Sequence, residues 1–295
     1  MKQTKEMGFE DGRRIVLYPG VELSFLCLQS NRIESHHRAV DNAIEINYCK
    51  EGRIGWKMQN GNSIYLGQGD FSLHTMKSCA SAEIIIPNEF YRGMSVFIDL
   101  AAFEKEPPEL LRGTPVTARS LYEKFCKNEG VASFIGNQMT QKIFEGFYDQ
   151  DEALRYTYYR LKTVELLLFI FQQEKEGISP LTEYRADQVE AVREIHDWLV
   201  SNMSRRFTIE ELSRKYLLNA TTLKTVFKAV YGTSIAAHIK THRMQEAGEL
   251  MKTSSLTIAE IAHRVGYESQ SKFTAAFKEY FHILPKEYRK KNIDK

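Results

Sequence analysis

The chain has 295 residues, 43% hydrophobic and 26% charged, which is too long for one small core and free of the tracts that mark disorder. Its net charge of +2 hides an asymmetry: of 40 Lys+Arg and 38 Asp+Glu, residues 204–295 hold 17 and 9 (net +8), leaving 23 and 29 (net −6) for the rest. A basic end on an acidic body fits a phosphate-binding module joined to a part with another task. The most apolar run, Val164–Phe171, is interrupted by Glu165 and is too short for a bilayer span. The opening MKQTKEMGFEDGRR lacks the apolar core of a secretory signal, so a cytoplasmic location is expected.

Up to about residue 100 the pattern is strand-like. Short runs at 44–48, 63–66, 82–86 and 94–98 alternate with turn formers such as Glu51-Gly52, Gly67-Gln68-Gly69-Asp70 and Pro87-Asn88. Asn60-Gly61 between two such runs predicts a hairpin. Many short strands at near-regular spacing predict a small antiparallel barrel or sandwich. Strand alternation places Glu45 and Asn47 on one face and Ile44, Ile46 and Tyr48 on the other. A barrel mouth suits a small ligand, and Glu45, Asn47, Tyr48, Trp56, Tyr65 and Tyr91 are the candidate liners.

The chemistry of an enzyme is not evident in this region. His36 and His37 are adjacent, so in a strand they point to opposite faces, and His74 is the other histidine of the barrel region; no metal and no cofactor are expected. The four cysteines, Cys27, Cys49, Cys79 and Cys126, have neither metal-clip nor disulfide-framework spacing and read as small core residues. There is no GxSxG, and no cysteine has an evident His partner.

Pro107-Pro108 closes the β region, and residues 117–176 read as helical. The longest stretch, about Asp151 to Glu176, places Leu154, Tyr158, Leu161, Val164-Glu165, Leu168 and Phe171 on one stripe. Leu166, Leu167, Phe169 and Ile170 fill much of the remaining surface, so this helix needs cover on two sides. A homodimer partner and burial within the chain both satisfy that requirement. Gly177-Ile178-Ser179-Pro180 is the linker candidate.

From 181 onward the chain reads as helical and repeats itself. Thr208-Ile209-Glu210-Glu211-Leu212-Ser213 matches Thr257-Ile258-Ala259-Glu260-Ile261-Ala262 at an offset of 49. With Glu268 as one extra residue in the turn, Leu223, Phe227-Lys228 and Tyr231 then match Phe273, Phe277-Lys278 and Phe281 at an offset of 50. Each copy reads as an N-cap, a short helix, a tight turn and a second helix, the sequence form of helix-turn-helix. Between them, Ser234 to Lys252 predicts a helix spanning about 28 Å. That approaches the ~34 Å between successive major-groove faces on one side of B-DNA.

The run from Ile261 to Lys278 (IAHRVGYESQSKFTAAFK), followed by Leu284-Pro285-Lys286-Glu287-Tyr288-Arg289, resembles the signature of the AraC/XylS family of bacterial regulators, over about residues 190–290. The resemblance implies seven helices, with Gly266 at the turn, Phe273 and Phe277 in the core and Pro285 at the end of the second unit. It implies a first reading helix over 220–229 presenting Thr221, Thr222, Lys224 and Thr225, with Lys228 alongside. It implies a second over 269–279 presenting Gln270, Ser271, Lys272 and Ala275. Thr225 and Ala275 stand where members often carry Arg, which removes guanine contacts worth about 1–3 kcal/mol each and leaves two alternatives, a preference for A·T-rich sites or a greater reliance on backbone contacts. His282 replaces the usual glycine after the second reading helix, and Leu217-Leu218 leaves the first turn without one. The basic run Arg289, Lys290, Lys291 reads as solvated or phosphate-facing.

In that family a cupin-like barrel commonly precedes the DNA-binding module and binds an effector. Residues 43–53, 67–72 and 87–93 show a local similarity to the pyochelin-sensing group of regulators. The expected fold class is therefore α+β multidomain: a cupin-like antiparallel β-barrel (1–115), a helical dimerisation and coupling segment (116–180) and an all-α tandem helix-turn-helix domain (181–295). The expected partners are double-stranded promoter DNA, RNA polymerase, a small-molecule effector and a second copy of the chain, with no membrane. The rival readings are a cupin enzyme with a helical regulatory appendage and an effector-free regulator governed by a partner protein.

Overall fold

The computed structural model describes residues 13–34, 42–57, 61–76, 83–127, 131–172 and 181–293; His36, His37, Asn60, Cys79 and the linker candidate 177–180 lie outside them. The chain divides into two compact units, 1–186 and 187–295. Among the described residues no helix is long and apolar enough to cross a membrane.

The first unit begins with nine strands: β1 (Ile15–Tyr18), β2 (Val21–Leu28), β3 (Arg32–Glu34), β4 (Ala43–Gly52), β5 (Ile54–Lys57), β6 (Asn62–Leu66), β7 (Phe71–Thr75), β8 (Glu83–Ile85) and β9 (Tyr91–Asp99). It continues with α1 (Leu100–Lys105), a 3-10 turn (Glu109–Leu111), α2 (Ala118–Phe125), β10 (Val131–Phe134), α3 (Gln138–Glu145), α4 (Arg155–Gln172) and β11 (Tyr184–Arg185). The strands form two antiparallel sheets, ordered β1-β2-β9-β4-β7-β10 and β11-β6-β5-β8-β3. Among the described residues no ladder joins one sheet to the other, so the expected closed barrel is instead a pair of separate sheets. The chain crosses between them at Gly52, whose φ of +78° and approach to Phe90 O (2.1 Å from where a Cβ would sit) leave room for glycine alone. Gly61, with φ +83°, precedes β6, and β5 pairs with β6 as the hairpin reading required.

The helical reading of 117–176 and that of the chain from 181 onward each take one correction. Residues 131–134 form β10, which pairs with β7, and β11 extends the second sheet from a stretch read as helical. Both strands are too short to carry a visible alternation of their own.

Alternation along β4 sets the two cores of this unit. Ile44, Ile46 and Tyr48 join Leu73, Met94, Val96 and Ile98 in packing against Leu121, Phe125, Phe144, Leu166, Leu167 and Ile170 of the helices. The opposite face carries Ala43, Cys49 and Tyr91 toward Ile54, Trp56 and Leu66 of the second sheet. On α4 the core takes Tyr159, Thr163, Val164, Leu166, Leu167, Phe169 and Ile170, whereas Tyr158, Leu161 and Leu168, with Leu154 just before the helix, are exposed. The stripe read from sequence is thus mainly the outward one. Full burial of Leu166 or Leu167 is worth about 2 kcal/mol, which decides the helix's rotation. Cys49 and Cys126 are buried as expected, but Cys27 is exposed.

The second unit is helical: α5 (Ala186–Ser201), α6 (Ile209–Lys215), α7 (Ala220–Tyr231), α8 (Ile235–Thr253), α9 (Ile258–Arg264), α10 (Gln270–Phe281) and α11 (Pro285–Ile293). These are the seven helices that the resemblance implied. Pro285 is the first residue of α11, where its missing N–H costs nothing. Leu212, Leu223 and Phe227 in one copy, and Ile261, Phe273 and Phe277 in the other, are fully buried. The second group packs on Met244, Ala247 and Met251 of α8, which serves as the shared wall.

Candidate nucleic-acid interface

Each helix pair is held by the same local devices. Thr208 Oγ1 accepts from Glu211 N (3.1 Å) while Glu211 Oε2 accepts from Thr208 N (2.8 Å). Thr257 and Glu260 repeat this box at 3.2 and 2.7 Å. Each box satisfies helix-end N–H groups that have no partner within the helix. The second helices start at Asn219, which accepts from Thr222 N (2.8 Å), and at Ser269, which accepts from Lys272 N (3.3 Å). Between the helices the backbone turns through a left-handed residue, Leu217 (φ 54°) in the first copy and Gly266 (φ 85°) in the second. Both second helices end on another, Gly232 (φ 80°) and His282 (φ 60°), whose N–H donates to Lys228 O and Lys278 O at 2.8 Å. His282 therefore keeps the cap geometry that glycine would adopt.

These caps leave one face of each second helix outward. Thr221, Lys224, Thr225 and Lys228 on α7 are exposed and Thr222 is half-buried; Gln270, Ser271, Lys272 and Ala275 on α10 are exposed. The opposite faces carry Leu223, Val226 and Phe227, and Phe273, Ala276 and Phe277, into the core. The observed helices run to Tyr231 and Phe281, two residues beyond the expected ends. Exposed Arg264 on α9 adds a cation that the motif did not single out.

Polar ties fix the frame behind these faces. Arg243 of α8 donates to Met203 O from Nε and Nη2 (2.9 and 2.6 Å), holding the α5–α6 loop on the rod. Lys240 pairs with Glu279 (2.7 Å), and Glu268, the extra residue of the second turn, pairs with Arg206 (2.8 Å). Exposed pairs of this kind add about 0–1 kcal/mol each and act mainly as orienters. Arg289 is not part of a solvated run: it donates to Leu256 O at 2.6 Å, which closes α11 over the loop before α9. Lys290 and Lys291 remain exposed. Behind α7, His238 of α8 is buried and its imidazole is pushed down to about 3 by burial and by neighbouring His242 and His196.

In the first unit, the candidate liners separate. Glu45 and Asn47 meet on the face between the sheets, where Asn47 Nδ2 lies 3.3 Å from Glu45 Oε2 and 3.5 Å from His74 Nδ1. Glu45 Oε2 is 3.3 Å from His74 Nε2, and the Trp56 ring lies 6.1 Å from the His74 ring. Burial alone would raise the Glu45 carboxyl, but hydrogen bonds from His74, Asn47 and Ser95 and the charge of His74 bring it below its ordinary value. Register aligns Ser133, Ser72, Asn47, Ser95 and Ser24 across five strands in one polar row. The buried hydroxyls of Ser72 and Ser133 have no hydrogen-bond partner among the described residues.

Tyr48 points to the other face, stacked on Phe144 at 4.3 Å with its hydroxyl donating to Glu145. Tyr65 covers Gly55 on the far side of the second sheet from Trp56, and Tyr91 is fully buried, donating to Tyr48 O. The structure therefore brings together Glu45, Asn47 and Trp56 and leaves Tyr48 and Tyr65 apart. His74 and the serine row were not among the expected liners; the alternation of β7 with β4 carried that signal. The Cys49 thiol is pushed up to about 12, chiefly by burial, which makes it a poor nucleophile.

Residues 212–291 match the helix-turn-helix domain family. Over 102 residues the chain is 31% identical to the multiple antibiotic resistance protein MarA of Escherichia coli K12, covering 35% of this chain and 80% of that one. Among solved structures, the C-terminal domain of the two-component response regulator yesN from Fusobacterium nucleatum is 33% identical. It covers 34% of this chain and 98% of that chain at a TM-score of 0.32. Unsaturated fatty acid-bound ToxT from Vibrio cholerae aligns over 94% of this chain and 96% of that chain, at 17% identity and a TM-score of 0.39.

Proposed function

This chain belongs to the AraC/XylS family of transcription regulators, and we propose that it reads promoter DNA by laying α7 and α10 into consecutive major grooves. The observation that carries this reading is the pair of equivalent helices, capped alike and polar on their outward faces, on either side of a 19-residue helix. In this reading Thr221, Thr222, Thr225, Gln270, Ser271 and Ala275 meet base edges, while Lys224, Lys228 and Lys272 reach phosphates or bases. With Thr and Ala at the two positions where arginine would contact guanine, the operator is A·T-rich at the corresponding steps.

The test is the salt dependence of operator binding. Each phosphate contact contributes about 0.9 to the slope of log K against log salt concentration. The Lys224→Ala/Lys272→Ala variant is expected to bind more weakly and to lower the slope by roughly 2. Unchanged affinity and slope would remove these helices from the interface.

The first unit, in the same reading, is a cupin-like sensor spanning residues 1–115, followed by a coupling and dimerisation segment to 180 and the reader from 181. Support for a ligand lies between the sheets, in the Glu45–Asn47–His74 group and the serine row with its two unpartnered hydroxyls. Buried hydroxyls without partners are costly, and a polar effector would supply what they lack. The exposed stripe Leu154, Tyr158, Leu161 and Leu168 supports a homodimer through α4. A regulator of this kind works in the cytoplasm beside RNA polymerase and needs no catalytic group. Asn47→Leu is expected to abolish effector-induced rises in Tm while leaving operator binding intact.

A further inference from the structure

We propose that His196, His238 and His242 form a binding site for a divalent transition metal such as Zn2+, which ties α5 to the long helix α8 behind the first reading helix. His238 and His242 are one turn apart on α8 and so project from the same face of that helix. His196 arrives from α5, and the three rings bring one ligand nitrogen each within 4.8 Å of one another. The closest pair, His242 Nε2 and His238 Nε2, is 3.0 Å apart. A tetrahedral ion with Zn–N bonds of about 2.0–2.1 Å separates its ligand nitrogens by roughly 3.4 Å. Small side-chain rotations of the two half-buried rings therefore suffice to close on an ion.

The donor set chooses the metal class. Three imidazoles without a carboxylate in the inner layer suit Zn2+, Co2+, Ni2+ or Cu2+ and not Mg2+ or Ca2+, which require oxygen. The fourth position is left for water or a further ligand. Asp197 Oδ1 lies 3.0 Å from His196 Nδ1, the outer partner that fixes a ligating imidazole and leaves its Nε2 available. Around the cluster, Tyr231 stacks on His196 (4.4 Å) and Phe227 meets His238 edge-on (5.5 Å), an apolar shell that strengthens metal–ligand attraction. Phe227 and Tyr231 both belong to α7, so an ion here braces the first reading helix against the rod.

The feature is confined to one copy. At the offset of 50, His238 corresponds to Tyr288, which packs on Phe277 and Phe281 as His238 packs on Phe227 and Tyr231. The second copy thus fills the equivalent space with an aromatic ring, which shows that packing alone does not call for a histidine.

The experiment uses the full-length protein, Zn2+ alone, and two variants at half-buried positions, His242→Gln and His196→Gln, whose folding is checked by circular dichroism. Wild type is expected to hold one Zn2+ per chain with an affinity at least about tenfold above that of either variant. Zn2+ should raise the wild-type Tm and leave both variants' Tm unchanged, and Mg2+ should do neither. Equal Zn2+ affinity in wild type and variants, or no retained Zn2+ in wild type, would overturn the site. The first outcome would move the ion elsewhere and the second would leave only three histidines packed together on an aromatic wall.

Discussion

The two helix-turn-helix copies solve the same backbone problem with opposite residues. Each needs two left-handed positions, one in the turn and one at the end of its second helix. The first copy puts Leu217 in the turn and Gly232 at the cap; the second puts Gly266 in the turn and His282 at the cap. The conformation is therefore imposed by the packing of each unit, and the residue sets only what it costs. A non-glycine residue there costs about 1 kcal/mol. The turns differ in a second respect. A Cβ at Gly266 would lie 2.5 Å from Met203 O, whereas Leu217 is 91% exposed. Glycine is obligatory in one copy and dispensable in the other.

That contrast is open to direct attack. Gly266→Ala combines a strained φ with a backbone collision and is expected to destabilise the second unit by about 2–4 kcal/mol. Urea unfolding followed by Trp198 fluorescence in a Trp56→Phe background would measure it, and a loss under 1 kcal/mol would show that the loop yields freely. Thr208→Ala and Thr257→Ala break matching capping boxes, so each should cost about 1 kcal/mol. Unequal losses would mean that the copies are less alike than their caps suggest. Smallest, and of opposite sign, are Leu217→Gly and His282→Gly. Both should stabilise by about 0.5–1 kcal/mol, read as higher denaturation midpoints. Destabilisation by Leu217→Gly would assign that side chain a contact it does not make here.

What the sequence disclosed follows the same logic. The repeat was legible because capping threonines and buried aromatics recur at fixed offsets, each enforced by hydrogen bonding or close packing. The left-handed Leu217 was hidden, since nothing in a leucine announces positive φ. On α4 the sequence showed two apolar stripes, and periodicity alone does not say which one the core takes; the more contiguous stripe turned out to face outward. Strands β10 and β11 find their partners 50 or more residues away, and such pairings leave no local trace. The face between the sheets was readable as alternation in β4, but His74 and the serine row emerge once register brings four further strands alongside. For the histidine cluster, His238 and His242 have a visible i, i+4 spacing, while the third member lies on a different helix.

The claim on which the rest turns is that α7 and α10 occupy successive major grooves on one face of the duplex. Hydroxyl-radical and methylation footprints of the full-length protein on its operator test it most directly, compared with those of Thr221→Ala/Lys224→Ala and Gln270→Ala/Lys272→Ala. The account predicts two protected major-groove patches about 10 bp apart, with each double variant erasing one patch and sparing the other. A single patch in wild type, or the loss of both patches in either variant, would contradict it.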